Sequence, residues 1–272
     1  MKNKLLRYVG ALLLPSVMVL SSCEDNNTDP VNQTEMITIA EGISHSGDYS
    51  VKIMAVDSLF EGYNKLHISL FETGTQTVVN DAVMQFHPLM DMMTKVHAAP
   101  VENPVQSEQN GSYDGAIVFI MPSTDDMGWS LKLTIDDGGF RDTINLQLPK
   151  VRALDEVRKI MVVSGIDSTV YFVSLLSPMD PVVGMNDIEF AVHYKQNMMS
   201  FPAADDLTLE IEPEMPSMDH GSPNNENPVF TGNGHYKGKV NFTMTGWWRV
   251  NLVIKKGSGM VKDNAYFDIT FQ

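Results

Sequence analysis

Tyr113-Asp-Gly115-Ala-Ile117-Val-Phe119-Ile-Met121 and Tyr236-Lys-Gly238-Lys-Val240-Asn-Phe242-Thr-Met244 are one pattern written twice: Tyr-x-Gly-x-(Ile/Val)-x-Phe-x-Met. Its period is two, which puts the shared residues of each copy on one face of an extended strand. Working outward, Gly128-Trp129 and Gly246-Trp247 follow the two copies. Glu102-Asn103-Pro104-Val105 and Glu226-Asn227-Pro228-Val229 precede them. Further upstream, His87-Pro88-Leu89-Met90-Asp91-Met92 aligns with Met215-Pro216-Ser217-Met218-Asp219-His220, and Gly62-Tyr63-Asn64-Lys65-Leu66 with Gly184-Met185-Asn186-Asp187-Ile188. Five blocks in one order mean two tandem copies of one domain.

Alternating apolar runs extend the strand reading to 36–41, 49–57, 65–73, 77–86, 131–135 and 142–148 in the first copy. In the second they fall at 158–166, 168–177, 186–195, 207–213, 234–244, 247–255 and 264–271. Asn110-Gly111, Asp137-Gly138-Gly139, Asn233-Gly234 and Lys256-Gly257 supply turns. About seven short strands per copy and no amphipathic helix predict an all-β chain of two immunoglobulin-like β-sandwiches. A small Greek-key barrel is the alternative. The charged stretch from Pro149 to Arg158 marks the boundary, giving domains at 35–150 and 151–272.

The first residues read as an address. Lys2, Lys4 and Arg7 precede a short apolar stretch from Val9 to Leu20, too short to span a bilayer. Leu20-Ser21-Ser22-Cys23 resembles a bacterial lipobox. That resemblance implies a signal peptide over 1–22, lipidation of Cys23 and attachment to a membrane through acyl chains. Residues 23–34 then form an acidic tether. The expected location is the cell envelope at the outer membrane, facing the periplasm or the outside.

Composition narrows the function. Lys and Arg total 19 against 34 Asp and Glu, a net charge of −15, so there is no electrostatic footprint for nucleic acid. With one Cys, the chain has no internal disulfide and no Cys-based zinc site. No GxSxG elbow or HExxH pair is present, and the expectation is a protein that is not an enzyme. Methionine is the anomaly, at 19 of 272 residues. It is normally a sparing filler of core gaps.

The methionines gather with histidines in matching places. Met215, Met218 and His220 form one triple. His87, Met90 and Met92, with His97 beyond, form the other. Pro88 and Pro216 block a helix, so each segment is expected to wrap as a loop that turns its thioethers and imidazole inward. That donor set suits a soft, low-coordinate ion, Cu(I) above all. Zn(II) would call for Cys, more His or carboxylates, and Ca(II) for an oxygen-rich loop. Asp91 and Asp219 are placed to support the ligands. Core packing is the competing role, above all for Met121 and Met244. His235, next to the turn before Tyr236, is expected at the surface, with a fourth ligand position as its alternative, and His67 and His193 in structural roles.

Residues 207–255, with Met-Pro-x-Met-Asp-His-Gly followed by the Tyr-x-Gly strand and Gly-x-Trp, resemble the YtkA-like domain of bacterial envelope proteins and lipoproteins. The first copy departs from it: His87 replaces the first Met, Met92 replaces the His, and Thr94 to Gly111 forms a longer insert. The resemblance implies a β-sandwich in a copper or heavy-metal context. The expectation is therefore a lipoprotein that binds Cu(I) for capture, buffering or handover to an envelope partner. The alternative is a lipid-anchored binding or structural module with no metal role.

Overall fold

The computed structural model describes residues 35–92, 95–108, 111–154, 157–166 and 168–272, and among these it contains eighteen strands and no helix. Residues 1–34, on which the expected signal peptide, the lipidation of Cys23 and the acidic tether fall, lie outside the described residues. Residues 35–272 form one compact unit containing two sandwiches.

The first sandwich runs through β1 (Ile37–Ile43), β2 (Tyr49–Ala55), β3 (Gly62–Glu72), β4 (Val83–Asp91), β5 (Val96–Ala98), β6 (Val101–Gln106), β7 (Ser112–Phe119), β8 (Trp129–Asp136) and β9 (Arg141–Gln147). The second runs through β10 (Ile160–Ser164), β11 (Val170–Ser177), β12 (Gly184–Tyr194), β13 (Leu207–Met215), β14 (His220–Gly221), β15 (Glu226–Gly232), β16 (His235–Phe242), β17 (Gly246–Lys256) and β18 (Gly259–Phe271). Sheet orders are β1-β2-β3-β7-β6 and β5-β4-β8-β9 in the first, and β10-β11-β12-β16-β15 and β14-β13-β17-β18 in the second. The two orders match strand for strand.

Period-two burial builds each core. β8 turns Trp129, Leu131, Leu133 and Ile135 inward, and β17 repeats this with Trp248, Val250, Leu252 and Ile254. Each such side chain contributes about 1.5–3 kcal/mol on leaving water.

Most of the repeated blocks hold this frame together. The Tyr113 hydroxyl accepts from Ala82 N (3.1 Å) and donates to Val79 O (3.0 Å), and Tyr236 does the same with Leu207 N (3.1 Å) and Ala204 O (2.7 Å). Asn103 on β6 accepts from Phe86 N across the sandwich at 3.0 Å, as Asn227 does from Ile211 N at 2.9 Å, so each ties one sheet to the other. Asn64 and Asn186 each satisfy backbone groups at the preceding turn. A Cβ on Gly115 would lie 2.9 Å from Glu102 O, and one on Gly238 2.4 Å from Glu226 O, so only glycine lets these strands approach.

The expected strand boundaries shift in places. The run at 77–86 becomes β4, starting at Val83, because Val79 bonds back to Leu70 O and Asp81 takes a positive φ of 63°. β5, β6, β14 and β15 are additional. The first and third are only three and two residues long, and the other two carry a proline and a register shift that break the alternation. Trp129 corresponds to Trp248 rather than Trp247: both indoles are fully buried and donate to a methionine carbonyl, Met121 O at 3.1 Å and Met244 O at 2.9 Å. Trp247 lies at the surface beside Arg249.

The alternation fails on β7, β11 and β12, where both faces are buried. The outward face of each five-stranded sheet packs on the other. Ala98 and Val118 of the first sandwich share an apolar cluster with Ile160, Phe172 and Phe201 of the second, flanked by Tyr63 and Leu89. Ala98 N also donates to Met198 O at 3.0 Å.

Candidate metal centre

Each sandwich closes one end with a methionine, a histidine and a tryptophan. In the first, β4 pairs Met90 with Trp129 of β8 on one side and with His97 of β5 on the other. All three side chains are buried. Directly opposed residues on an antiparallel pair hold their Cβ atoms about 5 Å apart. The His97 ring meets the Trp129 ring edge-on, with centroids 5.5 Å apart at 80°. Met92 and Met121 pack partly buried against the same core.

His97 carries the clearest chemical signature. Its Nδ1 lies 3.1 Å from Ala98 O, which fixes the ring with Nδ1–H as donor. The other nitrogen, Nε2, is buried and has no hydrogen-bond partner among the described residues. A buried acceptor without a donor costs about 1–3 kcal/mol. It is also an imidazole lone pair held ready, since a carbonyl on the far nitrogen is the usual support of a ligating histidine.

In the second sandwich the hairpin of β13 and β14 pairs Met215 with His220. The turn between them closes with Met218 N donating to Met215 O at 3.0 Å. Met215 is buried in the core, and a Cβ on Gly246 would lie 2.9 Å from its methyl carbon. His220 is half-buried, with its ring centroid 6.1 Å from Trp248 and Nε2 3.0 Å from Thr243 Oγ1. Met218 stands on the turn, 57% exposed.

The residues expected from sequence therefore divide. Met215 and His220 come together, and so do Met90 and His97. His87 does not join Met90. The segment 87–91 is part of β4 rather than a wrapped loop, so the strand's period of two turns His87 outward while Met90 points to the core. Pro88 fits because the β5 ladder begins only at Leu89, leaving no donor owed on that edge. His87 lies instead along a cavity of about 350 Å³ that Met199 of the second sandwich also lines. Burial and Lys132 hold its imidazole below the usual histidine range. Met93 lies outside the described residues. Asp219 adopts a positive φ of 47° in the hairpin turn. Among the described residues no three His, Cys, Asp or Glu side chains converge as a metal site.

The remaining histidines also find places. His67 Nδ1 pairs with Asp114 at 2.6 Å. His193 is buried, and burial pushes its imidazole down to about 4. His235, expected at the surface, is the residue sequence reasoning missed. It sits between the sandwiches, with Nε2 2.7 Å from Glu102 Oε1 and Nδ1 2.7 Å from Glu189 Oε1. No local signal marked it, because its partners Glu189 and Glu102 lie 46 and 133 residues away in sequence.

The fold and these paired ends define a tandem β-sandwich protein with a Met-His-Trp group in each half. Residues 167–253, which carry the second group, match the YtkA-like family model. No curated protein matches the chain. Among solved structures it is similar to InvD of Yersinia pseudotuberculosis, with 14% identity over 79% of this chain and 55% of that one and a TM-score of 0.25. It is also similar to a conserved domain protein from Bacillus anthracis, with 11% identity over 86% and 90% and a TM-score of 0.33. The chain thus spans about half the length of the InvD chain.

Proposed function

We propose that this chain is an envelope lipoprotein, anchored through Cys23, that binds a soft monovalent ion, Cu(I), at the Met-His-Trp end of each sandwich. The observation that carries the reading is the buried Nε2 of His97, without a hydrogen-bond partner among the described residues, on the residue that pairs with Met90 across the β4–β5 ladder. Met90 and His97 would hold the ion in the first sandwich, with Met92 as a further thioether. Met215, His220 and Met218 would do so in the second. Thioether sulfur and neutral imidazole match a soft ion that forms few bonds. The exposed Met218 suits handover, because a ligand on a surface turn can pass an ion to a partner without opening the core. The acidic chain raises the local cation concentration, an effect that salt weakens. No step requires catalysis.

The test is anaerobic competition for Cu(I) between the full chain in detergent and a chromogenic chelator. Two equivalents are expected, falling to one in His97→Phe and to one in Met218→Ala/His220→Ala. If neither variant changes the stoichiometry, or if the parent protein does not compete, the two ends are core packing and the chain is a lipid-anchored binding or structural module.

A further inference from the structure

We infer that His235, as an imidazolium, is a pH-dependent clamp between the two sandwiches. The ring bridges one carboxylate from each side: Glu102 on β6 of the first sandwich and Glu189 on β12 of the second, each at 2.7 Å. Only the charged ring has two N–H donors, so only the charged ring satisfies both carboxylates. In the neutral ring one nitrogen presents a lone pair to a carboxylate oxygen.

The surroundings make that loss matter. The His235, Glu102 and Glu189 side chains are 16%, 19% and 20% exposed. From β3, Tyr63 donates to the other Glu102 oxygen at 2.9 Å and sets its ring edge against His235, 5.9 Å between centroids. Lys65 of β3 and Asp114 of β7 line the adjoining cavity of about 400 Å³, paired with each other at 3.4 Å. On the second sandwich, Lys237 of β16 reaches Glu189 Oε1 at 3.4 Å, and His193 of β12 is neutral and buried. Lys237 stands against Glu189 alone, so Glu102 depends on His235 for its positive partner across the interface. Hydrogen bonding to Glu102, opposed by burial and aided by Glu189, raises the His235 pKa above the ordinary imidazole value.

The sign follows. A folded-state pKa above the unfolded one gives stability that is complete below the unfolded value and is lost as pH rises through the folded one. The sandwiches are held at mildly acidic and neutral pH. The interface loosens on the alkaline side, where two carboxylates are left around an uncharged ring and the apolar cluster about Val118 and Phe172 holds the sandwiches alone.

Spin labels at Asp126→Cys and Ser258→Cys, one on each sandwich, in the full chain with Cys23→Ser, would report the inter-sandwich distance. The His235 imidazole would be followed by NMR in parallel, from about pH 5 to about pH 9. We expect a narrow distance distribution that broadens with the midpoint of the His235 titration. Glu102→Gln, which keeps an acceptor and removes a charge, should lower that midpoint by about one pH unit. His235→Gln should abolish the pH dependence. The clamp is overturned if His235 titrates while the distance distribution stays unchanged, or if His235 does not titrate in this range. Because Glu102→Gln preserves the shape of the site, it decides the matter even where His235→Gln fails to fold.

Discussion

Met215 and His220 face each other across the β13–β14 ladder, as Met90 and His97 do across β4–β5. In each pair the methionine is a core residue before it is anything else, because its strand has already turned it inward. The pairs differ in depth: His97 is buried and His220 half-buried. Stability should therefore respond differently to the same kind of substitution in the two pairs, and so should the proposed ion binding.

Met215→Ala should lower stability by about 2–5 kcal/mol, the range for truncating a buried side chain to alanine. Met218→Ala should change it by about 0.5 kcal/mol or less, since it removes an exposed side chain. Chemical denaturation of both variants measures this. Met218→Ala is thus the cleaner probe of ligation in the second sandwich: a loss of Cu(I) affinity at unchanged stability assigns its thioether to the ion.

His97→Phe should leave stability within about 1 kcal/mol of the parent, because the gain from removing a buried nitrogen that lacks a partner offsets the loss of the Nδ1–H bond to Ala98 O, while an aromatic ring still fills the space. Thermal unfolding tests this. A loss of several kcal/mol would show that the imidazole has a structural role its hydrogen bonds do not reveal.

The repeat was the most legible feature of the sequence, for a physical reason. Tyr113, Gly115, Asn103 and Asn64, with their partners Tyr236, Gly238, Asn227 and Asn186, each satisfy a backbone group or permit a close approach that no other residue would. Such positions leave fixed letters. The Met-His pairs were only half legible. Aligning His87 with Met215 followed the letters Pro and Met, whereas the ladders align Met90 with Met215, each two residues after a proline within its strand, Pro88 or Pro213. The hairpin beyond is longer in the first sandwich, so its histidine falls at 97, outside the matched spacing. His235 was illegible because its partner Glu102 is remote in sequence, and nothing local says that the outward face of one sheet meets that of another.

Gly238→Ala should cost about 1–3 kcal/mol, because its Cβ would lie 2.4 Å from the Glu226 carbonyl oxygen, and a backbone atom cannot swing aside as a side chain does. Gly115→Ala, at 2.9 Å from Glu102 O and 2.8 Å from a Phe86 ring carbon, should cost a similar amount. Equilibrium unfolding in urea would compare them. Gly115→Ala should also disturb the interface between the sandwiches, since Glu102 carries the contact to His235.

Acid should weaken the fold through His193. Burial holds this imidazole at about 4 in the folded chain, against an ordinary value of 6.5, while Glu102 pulls the other way. The unfolded chain therefore takes up a proton that the folded one refuses between about pH 6.5 and about pH 4. Stability falls as pH falls through that window, by up to about 3 kcal/mol, and levels off below it. His235 contributes in the opposite sense, its share being lost as pH rises through its raised pKa. The two together place the stability maximum between the two histidine transitions. Urea midpoints across the acid range should show the decline in the parent protein. His193→Leu, which removes a buried ring whose Nδ1 has no partner, should flatten the acid limb and leave the alkaline limb in place. An acid limb of the same slope in His193→Leu would assign the proton uptake to other groups.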